Sequence, residues 1–315
     1  MGTEGGKEGS WTTMKIDPEI FEELGVRDPE ETKREMAISK RVRQVRKELK
    51  SNPDSIDLQL ELGRLFIDGA EFEEAIKQLK QIINRDRKNG LAYKLLGTAY
   101  AMCNHEAEAT SELTRASEII PEDLEVHMNL GGVFMLQDMY ESAARCFRKV
   151  VELDPMDRLG YANLAAAYDC EKKYDEEIQV LKKILMFAPE DIELRSALST
   201  AYFNSENYDE ALNHALCVIE LDEKDPQAYC NLGSCYSAQN MIDEAVQAFQ
   251  KASEIDPDYS LPHTNLGSLY ATIGRLEKAI KEFKMATNMN QSDALAWMNL
   301  YSCYKEVGRM EDAQE

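Results

Sequence analysis

The chain has 315 residues, 43% of them hydrophobic, and carries 36 Lys and Arg against 58 Asp and Glu, a formal net charge of −22. That balance speaks against a nucleic-acid binder, whose phosphate contacts need a basic stripe. No apolar run reaches the roughly 18 residues of a transmembrane segment, and seven scattered cysteines without a CxxC pair fit a reducing, cytoplasmic compartment with neither a disulfide framework nor a metal site.

Residues 1–28 read as a flexible N-terminal tail that opens on a stretch rich in Gly and Thr. Residues 29–55 read as a basic amphipathic helix, with Ile38, Val42, Val45 and Leu49 at spacings of four, three and four. Between Glu31 and Lys50 its polar face sets eight basic side chains, among them Arg41, Arg43 and Arg46, against three acidic ones. This helix is expected to cap the helical array that begins at residue 56, standing in for the second helix of a half-repeat.

From residue 56 a frame of 34 residues runs without slip: Leu62, Leu96, Leu130, Leu164, Leu198, Leu232, Leu266 and Leu300. Four residues after each comes an aromatic, from Phe66 and Tyr100 through to Tyr304, which is one face of a helix. The residue after the leucine is small in seven of eight cases, and thirteen after it stands Ala75, Ala109, Ala143, Ala211, Ala245, Ala279 or Ala313. Small residues on two helices let their backbones approach closely. Prolines such as Pro155, Pro189 and Pro257 fall between repeats, where a helix stop is wanted.

This pattern resembles the tetratricopeptide-repeat (TPR) family, whose 34-residue helix-turn-helix signature recurs here at 56–89, 90–123, 124–157, 158–191, 192–225, 226–259, 260–293 and, in part, 294–315. The resemblance implies an all-α fold, a right-handed superhelical solenoid in which each helix pair buries its apolar face on the next. It also implies a concave groove lined by the first helix of every repeat.

On that helix, asparagine stands immediately before the frame leucine at Asn129, Asn163, Asn231, Asn265 and Asn299. The row resembles the asparagine ladder in the repeat arm of O-linked N-acetylglucosamine transferases, which grips the main chain of an extended polypeptide. A side-chain amide suits that task because it donates and accepts at once. Ser234 and Ser268, with Thr200 and Ser302, are expected to supply small polar lining, and Lys94, Met128, Cys230 and Met298 to shape pockets. Lys94 is followed by Thr98 where the carboxylate-clamp subclass of the family has asparagine, which disfavours that subclass.

The expected function is a scaffold or adaptor that holds an extended, neutral or basic peptide, or a partner subunit, in this groove; the alternative is the substrate-recruiting arm of a larger enzyme such as a glycosyltransferase. No phosphate loop, nucleophile constellation or paired-carboxylate site stands in the sequence, so neither catalysis nor a cofactor is expected. Two irregularities stand out. Glu177 replaces the frame alanine, and should force local splaying or find a polar partner. In the last repeat Leu295, Met298, Leu300 and Tyr304 are expected to lie uncovered, inviting self-association.

Overall fold

In the computed structural model, residues 29–309 are described; the expected N-terminal tail and Ala313 lie outside them. Sixteen α-helices and no strand occur among the described residues. They are α1 (Pro29–Ser51), α2 (Ile56–Asp68), α3 (Phe72–Arg85), α4 (Gly90–Met102), α5 (Glu106–Ile119), α6 (Leu124–Leu136), α7 (Tyr140–Leu153) and α8 (Arg158–Cys170). The second half continues with α9 (Tyr174–Leu185), α10 (Ile192–Asn204), α11 (Tyr208–Leu221), α12 (Pro226–Ala238), α13 (Ile242–Ile255), α14 (Leu261–Thr272), α15 (Leu276–Met289) and α16 (Ala294–Val307). The chain forms two compact units, Met1–Asn129 and Leu130–Glu315. Each is a run of helix pairs packed one on the next, which makes the fold an all-α solenoid.

Local chemistry fixes where each pair begins and bends. Seven residues before the frame leucine, the side chains of Ser55, Asn89, Asp123, Asp157, Asp191, Asp225 and Asp293 accept a backbone N–H of the first turn. Just after the first helix of each repeat one residue takes a left-handed conformation, again every 34 residues: Ala70, Asn104, Asp138, Lys172, Glu206, Asn240, Gly274 and Gly308, with φ from 56° to 82°. The reversal lets the frame aromatic's carbonyl accept the N–H five residues on, as Phe66 does from Glu71 and Tyr270 from Arg275, closing the first helix.

The frame residues are the core. All eight leucines and the alanines 75, 109, 143, 211, 245 and 279 are buried. The small residue after the leucine makes room for the side chain sixteen positions later: a Cβ added at Gly233 would stand 2.6 Å from the Phe249 ring, and one at Gly267 equally close to Phe283. In the fifth repeat the sizes are traded: Ser199 faces the small Ala215, and its hydroxyl donates to the Ala211 carbonyl.

Cations clasp successive pairs. Lys80 lies over Tyr100, Lys182 over Tyr202 and Lys284 over Tyr304, each 5.1–5.5 Å from the ring centroid, and Arg148 donates to the Tyr168 hydroxyl. Arg46 of α1 sits over Phe66 at 5.4 Å by the same offset of twenty residues, so α1 packs on α2 as a second helix packs on the following repeat. Val42 and Val45 are buried there, and Arg41 Nε donates to Glu61 at 2.6 Å.

Two expectations need correcting. Glu177 has found no polar partner: it is buried, and its Oε2 has no hydrogen bond among the described residues. Burial and the neighbouring Asp169 push its carboxyl up to about 7. Its helix, α9, has 12 residues where the other second helices have 14, and Met186 and Phe187 stand exposed behind it. On α16, Leu295 and Met298 are exposed as expected, but Leu300 and Tyr304 are buried, packed on the preceding pair together with Phe283 and Leu266.

Candidate functional site

The candidate site is the outward face of the first helices, which remains free because the leucine, the aromatic and the small residue all turn towards the second helices. In the second unit α10, α12, α14 and α16 touch in succession, so their outward faces form one surface. Asn163 lies on α8, Asn231 on α12, Asn265 on α14 and Asn299 on α16, all half-buried just before the frame leucine. The row is interrupted on α10, where Ala197 takes the position.

The amides are not equally available. Asn231 Oδ1 accepts from Gln227 Nε2 at 2.8 Å, and Gln227 in turn accepts from the Tyr259 hydroxyl, a chain that leaves Asn231 with its donor hydrogens to offer. The side-chain amides of Asn265 and Asn299 make no hydrogen bond among the described residues, so both retain donor and acceptor. Asn265, Ser234 and Ser268 meet in one cavity of about 210 Å3, closed by Phe203, Leu269 and Thr272. Ser268 Oγ is bound to its own helix, donating to the Thr264 carbonyl at 2.9 Å. Half-buried amides beside a small cavity present hydrogen-bonding groups to a chain laid across the helices without needing to be dug out of the core.

In the first unit the arrangement differs. Asn129 is spent internally, donating from Nδ2 to Thr98 Oγ1 at 2.9 Å. Lys94 is no free groove cation: it is buried, and its Nζ donates to Asp123 at 2.9 Å and to Glu125 at 2.8 Å. Burial works against its charge, but those two carboxylates outweigh it, and the pKa lies above the ordinary lysine value. Lys94 does line a cavity, of about 240 Å3, with Asp57, Leu60, Glu61, Arg64, Leu91, Leu95 and Glu125.

Cys230, expected to shape a pocket, is buried in the core instead, and burial pushes its thiol up to about 12. The reason is its place two residues before the leucine, where first helices pack on one another: Leu60 and Thr264 are buried at the same position. Met298 occupies it too, yet is 69% exposed. Cys146, Cys235 and Cys303 are buried as well, acting as small core residues. No group of His, Cys, Asp and Glu suited to a metal occurs among the described residues, and no described helix is long and apolar enough to cross a membrane.

Models described as tetratricopeptide repeat match residues 35–115, 124–156, 226–259 and 248–281. No protein with a curated description matches the sequence. Among solved structures, a tetratricopeptide repeat protein from Parabacteroides merdae ATCC 43184 superimposes with a TM-score of 0.57 at 18% identity, over 78% of this chain and 98% of that one. The APC/C hetero-tetramer Cut9-Hcn1 gives a TM-score of 0.47 at 17% identity over 84% of this chain, which spans only 52% of that chain. MamA 41-end from Desulfovibrio magneticus RS-1 gives 0.48 at 20% identity, over 53% of this chain and 95% of that one. At 18% identity the Parabacteroides merdae likeness speaks for the fold alone.

Proposed function

The chain belongs to the tetratricopeptide-repeat family, and on that footing we propose that it is a non-catalytic scaffold that holds an extended polypeptide along the first helices of its second unit. That the protein is an interaction scaffold follows from the repeats themselves; the surface and the ligand are the proposal. The observation that carries it is the pair of unspent amides at Asn265 and Asn299, the former sharing a cavity with Ser234 and Ser268. Asn163 and Asn231 extend the same row. Because amides match peptide N–H and C=O groups, the surface reads main chain rather than sequence.

Magnitudes limit how tightly it holds. At about 0.5–1.5 kcal/mol net per hydrogen-bonded contact, a handful of amides supplies only several kcal/mol, against an association cost of roughly 4–15 kcal/mol. Side-chain pockets and charge must add the remainder, and the net charge of −22 favours solubility and neutral or basic partners, while the scattered cysteines favour a cytoplasmic setting. In this reading α1 is the cap that shields the first pair.

The test is capture of partners on the full chain, followed by comparison with the variant carrying Asn231→Ala, Asn265→Ala and Asn299→Ala. The variant should bind tenfold or more weakly while melting nearly as the parent does. A variant that binds normally, or one that unfolds readily, would show that the amides belong to the frame and that the site is elsewhere.

A further inference from the structure

The position before the frame leucine is Glu61 on α2 and Leu95 on α4, where every later first helix but α10 carries asparagine, and there the main-chain row gives way to the cavity of about 240 Å3. Its floor is aliphatic: Leu60 and Leu95 are buried, and Leu91 is open to solvent. Its rim is polarised. Asp57, Leu91 and Glu125 stand at the same position of three successive first helices, so both carboxylates lie at one end, whereas Arg64 stands two turns, about 10 Å, further along α2. Asp57 makes no hydrogen bond or ion pair among the described residues. Glu125 gives one oxygen to Lys94 and keeps an exposed side chain. The remaining charges are settled, since Glu61 is paired with Arg41 and the Lys94 ammonium with two carboxylates, which leaves the surplus at the Asp57 end negative.

We propose that this cavity takes the side chain of an arginine or lysine from the bound polypeptide. The methylene stem lies on Leu60, Leu91 and Leu95, the charge reaches Asp57 and Glu125, and the ligand's main chain faces Arg64. A leucine floor alone would take an aliphatic side chain as readily. The two outward carboxylates at one end decide for a cation, and a glutamate entering the same way would meet them head on. The inference rests on reading the first-helix face as a polypeptide-binding surface, but it concerns the first unit and is tested apart from the asparagines of the second.

The probes are blocked tripeptides with a central arginine, leucine or glutamate between glycines, titrated into the full chain labelled at leucine methyls. The arginine tripeptide should shift the Leu60, Leu91 and Leu95 methyl signals saturably, and bind at least about threefold more tightly than the leucine one. Asp57→Asn, which changes one exposed carboxylate, and Glu125→Gln, which leaves Lys94 its bond to Asp123, should each remove that preference while the other methyl signals stay in place. Raising salt from roughly 0.02 M to about 0.5 M should weaken it as well. Equal or tighter binding of the leucine or glutamate tripeptide, an arginine response indifferent to both variants, or no saturable shift with any probe would overturn the assignment. None of these outcomes touches the asparagine row, whose own test is the triple alanine variant.

Discussion

Glu177→Ala should stabilise the protein, and by an amount that depends on pH. The residue occupies the close-packed position that a buried alanine fills in six other repeats among the described residues, and its buried Oε2 has no partner. Its carboxyl is held at about 7 in the folded chain, first by burial and then by Asp169, against 4.5 for the free group. Because the folded-state value is raised, the folded chain binds more protons than the unfolded chain between those two values. Stability therefore falls as pH rises from about 4.5 to about 7 and is flat above. At 1.36 kcal/mol per unit the full shift would be worth about 3 kcal/mol; water reaching the site lowers this, and about 1–3 kcal/mol is expected. Urea unfolding at several pH values measures it. The difference between variant and parent should be small near pH 5 and reach its full size by pH 8, with Glu177→Gln in between, since it removes the charge but keeps a buried polar group. A difference that does not change with pH would refute the claim that a desolvated carboxylate sits in the core.

The left-handed turn residues give a second expectation: Lys172→Gly and Glu206→Gly should each stabilise by about 0.5–1 kcal/mol in thermal melts, and Gly274→Ala should cost about as much, because only glycine adopts that φ without strain. Gly233→Ala and Gly267→Ala should destabilise by about 1–3 kcal/mol in urea titrations, the added carbon meeting Phe249 or Phe283 at 2.6 Å. Val45→Asp buries an unpaired charge beneath α1 and should lower the melting temperature markedly or bring on aggregation, whereas Arg43→Glu, on the exposed side, should leave the melt unchanged. If Val45→Asp melted as the parent does, α1 would not be the cap.

The frame was legible because it is written in a narrow alphabet: leucine, an aromatic and alanine at fixed offsets can hardly be anything but a helix pair repeated. The cap row seven residues before the leucine and the left-handed row eight after it are just as regular in space, yet they pass unnoticed in the sequence. The first mixes Ser, Asn and Asp, and breaks at Tyr259; the second admits Ala, Lys and Glu beside Asn and Gly. Backbone geometry, not side-chain type, is repeated there. The cation clasp on the aromatics is hidden likewise, since Thr114, Leu216 and Gln250 interrupt the basic residues.

The candidate face was legible in position but not in state. Spacing puts Asn129, Asn231 and Asn265 on equivalent faces, but whether an amide is spent depends on a partner elsewhere: Thr98 lies 31 residues before Asn129, and Gln227 one turn before Asn231. Lys94 reads as pocket lining and does line a cavity, but that its charge is already paired shows only once Asp123 and Glu125 are seen to close on it. Cys230 reads as lining until the neighbouring first helix covers it.

The central claim, that the asparagine face holds main chain, is tested most directly by changing the ligand's backbone and leaving its side chains alone. The captured partner segment would be made with single N-methyl groups along its length and its binding to the full chain measured by calorimetry. Methylation at the amides facing Asn231, Asn265 and Asn299 should weaken binding by about threefold to tenfold each, the worth of one hydrogen bond, while alanine substitution of the side chains between them should cost little. A segment that tolerates every N-methyl group but loses its affinity when one or two side chains are removed would contradict the account.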